Sequence, residues 1–507
     1  MRTADPTPRG LRTTHGRDAW LSWSACRCVG VIVTAVFLLA GHPAAIHAAC
    51  NNLGCTQSTC TITGTNYVDN SCVIPWDGKT VTIDRSGKLL TAANGQSFTI
   101  NAAALIVRGT LQAQGGTLTV NTTSPGPTSF RTEVVNNSPG KIDVRNGGKL
   151  RIIAAGPVEL YGQDVNADGG TAGTGGAMWV SGSAISTISP VHADGTSGGD
   201  GGYMELNATG DISIGGLTTV NGQGPVNGAS PATGGAIYIN AGGTLNVSKN
   251  LLAKGDQDGD GGVINLIAGG TATLAGNYSA NGVGNTGGAN GGRISLDADG
   301  ATISGAWTAV GNYGAAGGGV SVRTHGGALA MTSTSSIDVS SGTFGGGDAG
   351  VVELRGDADV SVGGDITANS GGDGSHGGDI TIVAGSANTL TVSNTLQAIS
   401  TTNNGDRDGA IYVGGACTIT ITGSLKTRNQ PGGGHNTIEY LGSLTATGAT
   451  LLAGDLGGNS IACPCVDVSP ADGVCDAPPT CAQSPSLSGA TINPSPVIAP
   501  WLAPPCS

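Results

Sequence analysis

Short runs in which apolar and polar residues alternate recur along most of the chain. In the segment GGAIYINAGGTLNVSKNLLAKG three such runs follow one another, with their first apolar residues at Ile237, Leu245 and Leu251. Alternation with a period of two is typical of a β-strand that buries one face and leaves the other in water. Each such segment therefore predicts three short strands separated by turns.

A glycine pair, or a short substitute for it, begins each of these segments. The last glycines of these signals are Gly176, Gly202, Gly235, Gly262, Gly292, Gly319, Gly350, Gly378, Gly409 and Gly434. Their mean spacing is about 29 residues, within the range that indicates a repeat architecture.

The third run of each segment places a small residue two positions after a large one. Tyr278 with Ala280 and Trp307 with Ala309 are two examples. A unit of this size cannot bury its apolar face alone, so successive units must stack and share one core. If each unit makes one coil, like residues meet in columns and the strands of successive coils pair in parallel. We expect the glycines at corners, where positive φ or close backbone approach excludes a side chain.

Residues from about 76 to 455 resemble the Gly-rich right-handed β-helices of bacterial secreted and surface proteins, the pectin-lyase-like superfold. Including the weaker alternation from Val81 to Leu160, the sequence predicts an all-β fold: a right-handed parallel β-helix, or solenoid, with three short strands and about 29 residues per coil. The resemblance implies this architecture and a carbohydrate or cell-surface setting. It does not imply an activity, because the superfold carries lyases, hydrolases and adhesins alike. A propeller fits less well, since its blades need about 40 residues or more.

Residues 1–49 are predicted to be a signal peptide. A segment with five arginines precedes an apolar stretch from Val29 to Ala40, and small residues lead to Cys50. This order is typical of a secretory leader, and the apolar stretch is shorter than the ~20 residues of a membrane span. Lipidation of Cys50 is the alternative, although His47 stands where a lipobox has an aliphatic residue. We predict a secreted or cell-surface protein with no transmembrane segment after cleavage.

Cysteines are concentrated at the two ends of the remaining chain. They are Cys50, Cys55, Cys60 and Cys72 at the front, and Cys417, Cys463, Cys465, Cys475, Cys481 and Cys506 towards the back. In an oxidising compartment such clusters predict disulfides. We therefore predict a Cys-rich N-terminal cap at 50–75, the β-helix at 76–455, and a Cys/Pro-rich C-terminal cap or tail at 456–507. Cys417 lies two residues before Ile419 and so has the same place in the alternation, which predicts that its side chain points inwards. Its thiol is then either free or in a disulfide with a cysteine of the back cluster. Zinc is the rival interpretation, but the back cluster has no CxxC pairs.

The charge balance excludes nucleic acid as a partner. The whole chain has 22 Lys and Arg against 34 Asp and Glu; without five arginines and two aspartates of the leader, 17 face 32, a net charge of −15. Phosphate binding needs clustered basic residues. One local basic cluster exists, which we interpret as a solvated face; its members are Arg131, Lys141, Arg145, Lys149 and Arg151.

Three alternating aspartates form the strongest local motif for a metal. Asp256, Asp258 and Asp260 lie in GDQDGDGG, and carboxylate oxygens suit a hard cation such as calcium. An EF-hand is excluded because Ile267 stands at the twelfth position. We interpret the motif as an acidic, solvated turn, with a calcium site as the alternative and no other cofactor predicted.

One constellation offers chemistry for an enzyme. Counted from the inward columns, Asp297, Arg323 and Arg355 fall at matching outward positions on successive coils, and Glu353 and His325 lie two residues from the arginines. Acids with Arg and His could bind and cleave an acidic sugar. The simpler interpretation is a ladder of opposite charges that steadies the sheet.

No other catalytic motif is evident, and sugar-stacking aromatics are scarce, since aromatic residues make up only 4% of the chain. HExxH and a phosphate loop are missing, and there is no GxSxG elbow, since the string GTSGG at residues 195–199 is part of a glycine-rich run. The sequence therefore favours an exported bacterial structural or adhesive surface protein without catalytic activity, with a cell-surface glycan or polysaccharide as partner. The alternative is a polysaccharide lyase or glycoside hydrolase that acts on acidic glycans at the outer face of the β-helix.

Overall fold

The computed structural model describes residues 53–501 except 136–137, 171–172, 226–229, 286, 343–345, 373, 401–407, 428–432, 455–457 and 465–483. These residues belong to one compact unit, His47–Ser507. Within the described ranges there is no helix, and hence none of the length and apolarity that a membrane span requires. The predicted signal peptide lies outside them.

The described chain winds into a right-handed parallel β-solenoid of about 13 turns with roughly 28 residues per turn, which confirms the predicted fold. Each complete turn contributes three short strands, and the strands stack into three faces. Faces 1 and 2 join at a corner in a 29-stranded sheet, and face 3 is a 16-stranded sheet to which partial turns at the ends also contribute. All pairings between these strands are parallel; the hairpin of β9 (Val134–Val135) and β10 (Ser138–Pro139) is antiparallel.

Face 1 contains the longest strands. They are β3 (Cys72–Ile83) and β5 (Phe98–Val107), which continue round the corner into face 2, then β7 (Thr117–Thr122), β12 (Lys149–Ala154), β15 (Ala177–Gly182), β18 (Tyr203–Ala208), β21 (Ala236–Ala241), β24 (Val263–Ala268), β27 (Arg293–Ala298), β30 (Gly319–Thr324), β33 (Val351–Gly356), β36 (Asp379–Val383), β39 (Ala410–Gly414), β42 (His435–Glu439), β45 (Gly458–Pro464) and β47 (Val497–Trp501).

Face 2 follows each strand of face 1 after a short corner. Its strands are β1 (Thr59–Ile62), β8 (Phe130–Thr132), β13 (Val158–Leu160), β16 (Ile185–Thr187), β19 (Ile212–Ile214), β22 (Leu245–Val247), β25 (Thr271–Leu274), β28 (Gly300–Ile303), β31 (Leu329–Met331), β34 (Val360–Val362), β37 (Thr389–Val392), β40 (Thr418–Ile421) and β43 (Ser443–Thr445).

Face 3 closes each turn. Its strands are β2 (Thr65–Val68), β4 (Lys88–Thr91), β6 (Thr110–Gln112), β11 (Lys141–Asp143), β14 (Val165–Asn166), β17 (Val191–His192), β20 (Thr218–Thr219), β23 (Leu251–Leu252), β26 (Tyr278–Ser279), β29 (Ala306–Thr308), β32 (Ser336–Asp338), β35 (Asp365–Thr367), β38 (Thr395–Gln397), β41 (Ser424–Lys426), β44 (Thr450–Leu452) and β46 (Thr491–Asn493).

The core is a set of columns in which like residues stack along the solenoid. On face 1, Ile237, Ile264 and Ile294 are direct partners on successive turns and are fully buried. On face 3, Tyr278 pairs with Trp307, and the small residues Ala280 and Ala309 lie buried behind them, as the sequence predicted. Burying one large aliphatic side chain contributes roughly 1.5–3 kcal/mol, so the columns are the main source of stability.

The recurring glycines also form a column just before the face 1 strands, in which Gly318 takes the place expected for Gly319. A Cβ at Gly262 would overlap the carbonyl oxygen of Gly235, and one at Gly292 would overlap that of Gly262. None of these glycines has a positive φ. The positive-φ part of the prediction is therefore wrong for this column: close contact between successive turns is what requires glycine.

The apolar column of face 1 becomes polar in its last turns. Ile411 pairs with Asn436, and Asn436 pairs with Asn459; both asparagines are buried. The Nδ2 of Asn436 donates to Oδ1 of Asn459 at 2.9 Å, and the Nδ2 of Asn459 donates to the carbonyl of Pro494 at 2.8 Å. The amide ladder gives these buried groups the partners that they need.

Parallel stacking extends past both boundaries predicted for the β-helix. At the front β1 pairs with β3, and at the back β45 pairs with β47. The N-terminal segment and residues 491–501 thus contribute strands to the solenoid itself.

Disulfides are present at both ends. Cys55 and Cys60 are bonded to each other, and Cys72 and Cys417 each take part in a further disulfide. Cys417 is only partly buried, contrary to its predicted inward position, because Gly415 turns the chain with φ 85° and Ala416 fills the interior instead. Cys463 lies in β45. Of the cysteines predicted to form disulfides, five lie outside the described residues: Cys50, Cys465, Cys475, Cys481 and Cys506.

Candidate functional site

The outer surface of face 1 carries three columns of side chains. In β18, Met204 and Leu206 point inwards and are buried, so Tyr203, Glu205 and Asn207 lie on the outside. Because the turns stack in register, the first, third and fifth residues of each strand continue these outer columns along the solenoid.

The predicted charged positions are aligned in the fifth-position column. Asp297 pairs with Arg323, and Arg323 pairs with Arg355, each on the next turn. His325 lies just beyond the strand, with Nε2 2.7 Å from Oδ1 of Asp297 and Nδ1 4.0 Å from Oδ2 of Asp357. The structure therefore brings Asp297 and His325 together, as neighbours on the surface.

Glu353 and Arg355 form an ion pair within β33. Arg323 has no ion pair among the described residues. Together with Asp357, these three side chains line an open groove of about 490 Å³. Asp297 is 53% exposed and His325 40%, and exposed pairs contribute only about 0–1 kcal/mol each. The groove can hold a polar ligand, but its acids are engaged with neighbouring basic groups.

A second feature of face 1 is a row of aromatic rings, which we call the aromatic ridge: Trp179, Tyr203 and Tyr238. The ring centroids of Trp179 and Tyr203 are 5.7 Å apart, and those of Tyr203 and Tyr238 are 5.5 Å apart. All three rings are partly exposed on successive turns. The sequence analysis did not anticipate this row of exposed rings, because aromatic residues make up only 4% of the chain.

Polar contacts fix the middle of the ridge. Glu205 stands between Trp179 and Tyr238 in the third-position column. It accepts hydrogen bonds of 2.6 Å from the hydroxyl of Tyr203 and from Nδ2 of Asn207. Burial and the bond to Glu205 raise the pKa of Tyr203 to about 12, so its hydroxyl remains a donor at neutral pH.

A groove of about 620 Å³ lies beside the ridge, and we call it the ridge groove. Its lining includes Arg151, Ile153, Trp179, Glu205 and Asn207. Sequence reasoning missed this site, although a signal existed: aromatic residues stand at outward parity in AMWVSG, YMELNA and AIYINA of three successive repeats.

The local basic cluster divides into paired and unpaired members. Arg131 bonds Glu159 and Glu133, while Lys141 and Arg145 both bond the buried Asp143.

Lys149 and Arg151 have no ion pair among the described residues. Arg151 pairs with Trp179, and Lys149 with Ala177, on the adjacent turn. Both cations are exposed.

The three aspartates proposed for calcium each bond backbone amides. Asp256 accepts the N–H of Gly224 at 3.1 Å, Asp258 that of Asn285 at 2.6 Å, and Asp260 that of Asn290 at 2.7 Å. In the described part of the chain, no three metal-binding side chains converge. These carboxylates tie neighbouring turns together, and the calcium site stays a prediction.

No protein-family model, curated protein or solved structure matches this chain.

Proposed function

We propose that the chain is an exported structural or adhesive surface protein of bacterial type, which binds glycans on the outer surface of its solenoid without converting them. The observation that carries the proposal is the uninterrupted outer surface of face 1, whose exposed columns run in register from turn to turn. With strands about 4.8 Å apart, 13 turns would form a surface of about 60 Å, which is suited to contact along a polymer.

Many polar groups on this surface are bonded to one another across turns. Ser295 donates to Asn265 at 2.7 Å, and the Tyr412 hydroxyl donates to Glu439 at 2.6 Å. Such ladders hold the surface rigid, and a rigid surface loses little entropy when a ligand binds. This arrangement supports repeated, shallow contacts better than a catalytic pocket.

Attachment tests the proposal. Secreted protein is incubated with immobilised mucin, bacterial cells and a panel of polysaccharides, and the released material is chromatographed. We expect attachment without new products. If the protein attaches to none of these surfaces, or if it reproducibly converts a polysaccharide into products, the proposal is rejected.

Export is tested separately by the mass of protein recovered from the medium. Cleavage near Ala49 gives a chain that begins at or next to Cys50. Retention of the full-length chain inside the cell contradicts export.

A polysaccharide lyase or glycoside hydrolase is the second candidate function. The 2.7 Å contact of His325 with Asp297, next to the groove of Arg323, Glu353 and Arg355, supports it. Such an enzyme would hold the acidic sugar with the arginines and move a proton with the histidine.

Chromatography of acidic glycans after incubation tests this candidate. A lyase would form unsaturated, ultraviolet-absorbing products, and a hydrolase would form new reducing ends. Products that vanish in His325→Ala and persist in the surface control Arg293→Gln would support it; absence of products from all acidic glycans would reject it.

A further inference from the structure

We infer that the ridge groove is a binding site for an acidic polysaccharide, whose sugar rings pack on Trp179 and whose carboxylates bind Arg151. The inference rests on the proposed glycan-binding function and specifies where on face 1 it occurs and which class of glycan it takes.

Trp179 offers a surface for a sugar ring. It lies at an outward position between two turns, partly exposed, while its strand neighbours Met178 and Val180 fill the core. The C–H groups on one side of a pyranose are apolar and pack on an aromatic face, which removes apolar area from water on both partners. Ile153, 38% exposed, extends the apolar floor of the same groove.

The charges beside Trp179 select an anionic sugar. Every other member of the local basic cluster is occupied by an acid, whereas Lys149 and Arg151 have no ion pair among the described residues. Arg151 is the direct partner of Trp179 on the preceding turn, about 4.8 Å away along the solenoid. A guanidinium there can hold a carboxylate by two parallel hydrogen bonds while the ring rests on the indole.

The opposite side of the groove provides hydroxyl recognition. Glu205 is held in place by Tyr203 and Asn207, so its carboxylate is oriented before a ligand arrives. A fixed acceptor suits sugar hydroxyls, and the pre-formed geometry lowers the entropy lost on binding. The negative charge of Glu205 would repel a carboxylate of the ligand, so the ligand binds with that carboxylate directed towards Arg151.

The ridge also stabilises the sheet by stacking across turns. That role alone does not explain why Arg151, which has no ion pair among the described residues, lies beside Trp179. The two roles have separable readouts, because a purely stabilising ridge changes the melting temperature and leaves glycan binding unchanged.

The test is a calorimetric titration of the secreted protein with alginate oligosaccharides. The same titration is repeated with oligosaccharides whose carboxyl groups have been chemically reduced. We expect the acidic form to bind and the reduced form to bind at least ~10-fold more weakly, as for loss of a charge-assisted contact. Arg151→Gln should lower the affinity for the acidic form by a similar factor. Arg293→Gln, an exposed cation on the same face outside the groove, should leave it unchanged.

Two further variants protect the test against misfolding. Trp179→Ala should abolish binding, and Trp179→Phe should retain part of it, with both melting temperatures recorded. Equal binding of acidic and reduced oligosaccharides would overturn the acidic class. If binding survives both Arg151→Gln and Trp179→Ala, the ridge groove is not the binding site, and the proposed adhesive function remains intact. If the protein attaches to none of the glycans, both the site and the adhesive function are rejected.

Discussion

The ring of Tyr278 stacks on the ring of Trp307 inside the solenoid, with centroids 5.1 Å apart and an interplanar angle of 28°. Both residues are fully buried. Neither the Tyr278 hydroxyl nor the Trp307 indole N–H has a hydrogen-bond partner among the described residues. Burial raises the pKa of Tyr278 well above its ordinary value. The two rings pack against each other and fill this part of the core, while their two polar groups have no hydrogen bond among the described residues.

We predict that Tyr278→Phe stabilises the protein by about 1 kcal/mol, because it keeps the stack and removes a buried hydroxyl without a partner. Thermal unfolding followed by circular dichroism measures the change. Tyr67→Phe is the matched control, since Tyr67 is 67% exposed and should be neutral. A lower melting temperature for Tyr278→Phe would mean that the hydroxyl has a partner after all.

We predict that Gly262→Ala destabilises the solenoid by about 3 kcal/mol or more, because its Cβ meets the backbone of the previous turn, which cannot move alone. Denaturant unfolding gives the value. Gly326→Ala is the control: its Cβ would meet nothing within 4 Å and its φ is not positive. Equal, small effects of both substitutions would contradict the close stacking of the glycine column.

We predict that Ile294→Asp costs about 3 kcal/mol or more, since it buries an unpaired carboxylate. Asp297→Ala, three residues later on the outer side, should cost less than about 1 kcal/mol because its contact with His325 is exposed. Both values come from the same denaturant titrations. The inward and outward assignment of β27 would fail if the two variants were equally stable.

Asp143 gives the protein a dependence on acid. Burial raises the pKa of its carboxyl. Hydrogen bonds from the Arg145 side chain and backbone, together with the charges of Lys141 and Arg145, lower this pKa by more than burial raises it. The pKa of Asp143 therefore lies below its ordinary value. A folded-state pKa below the unfolded one means that the charged carboxylate stabilises the fold above a pH of about 3.9 and that this contribution is lost as the pH falls through the folded-state pKa.

We therefore predict that Asp143→Asn lowers stability at pH 7 by about 1–2 kcal/mol and that the gap to the unmodified protein narrows below a pH of about 4. Melting temperatures between neutral and strongly acidic pH measure it. Asp299→Asn, an exposed acid without an ion pair among the described residues, serves as control. A gap that is constant with pH would show that Asp143 acts by shape alone.

The outward charged positions were predictable, but their contacts were not. Counting by two from inward residues placed Asp297, Arg323 and Arg355 in one column, as the pairing register confirms. The same counting could not show that His325 bonds Asp297, because this depends on where the chain turns after β30. Nor could it reveal the phase change at Gly415, which leaves Cys417 partly exposed.

The coil and its interior follow from the pattern of residues along the chain. Alternation with a period of two, repeated about every 29 residues, leaves stacking as the way to bury residues such as Ile294 and Trp307, since one unit has no other apolar surface to cover them. Which outer side chains meet depends instead on how successive turns are aligned in three dimensions. Trp179, Tyr203 and Tyr238 become neighbours through the register between turns, and that register depends on loops of unequal length whose sequence carries no period.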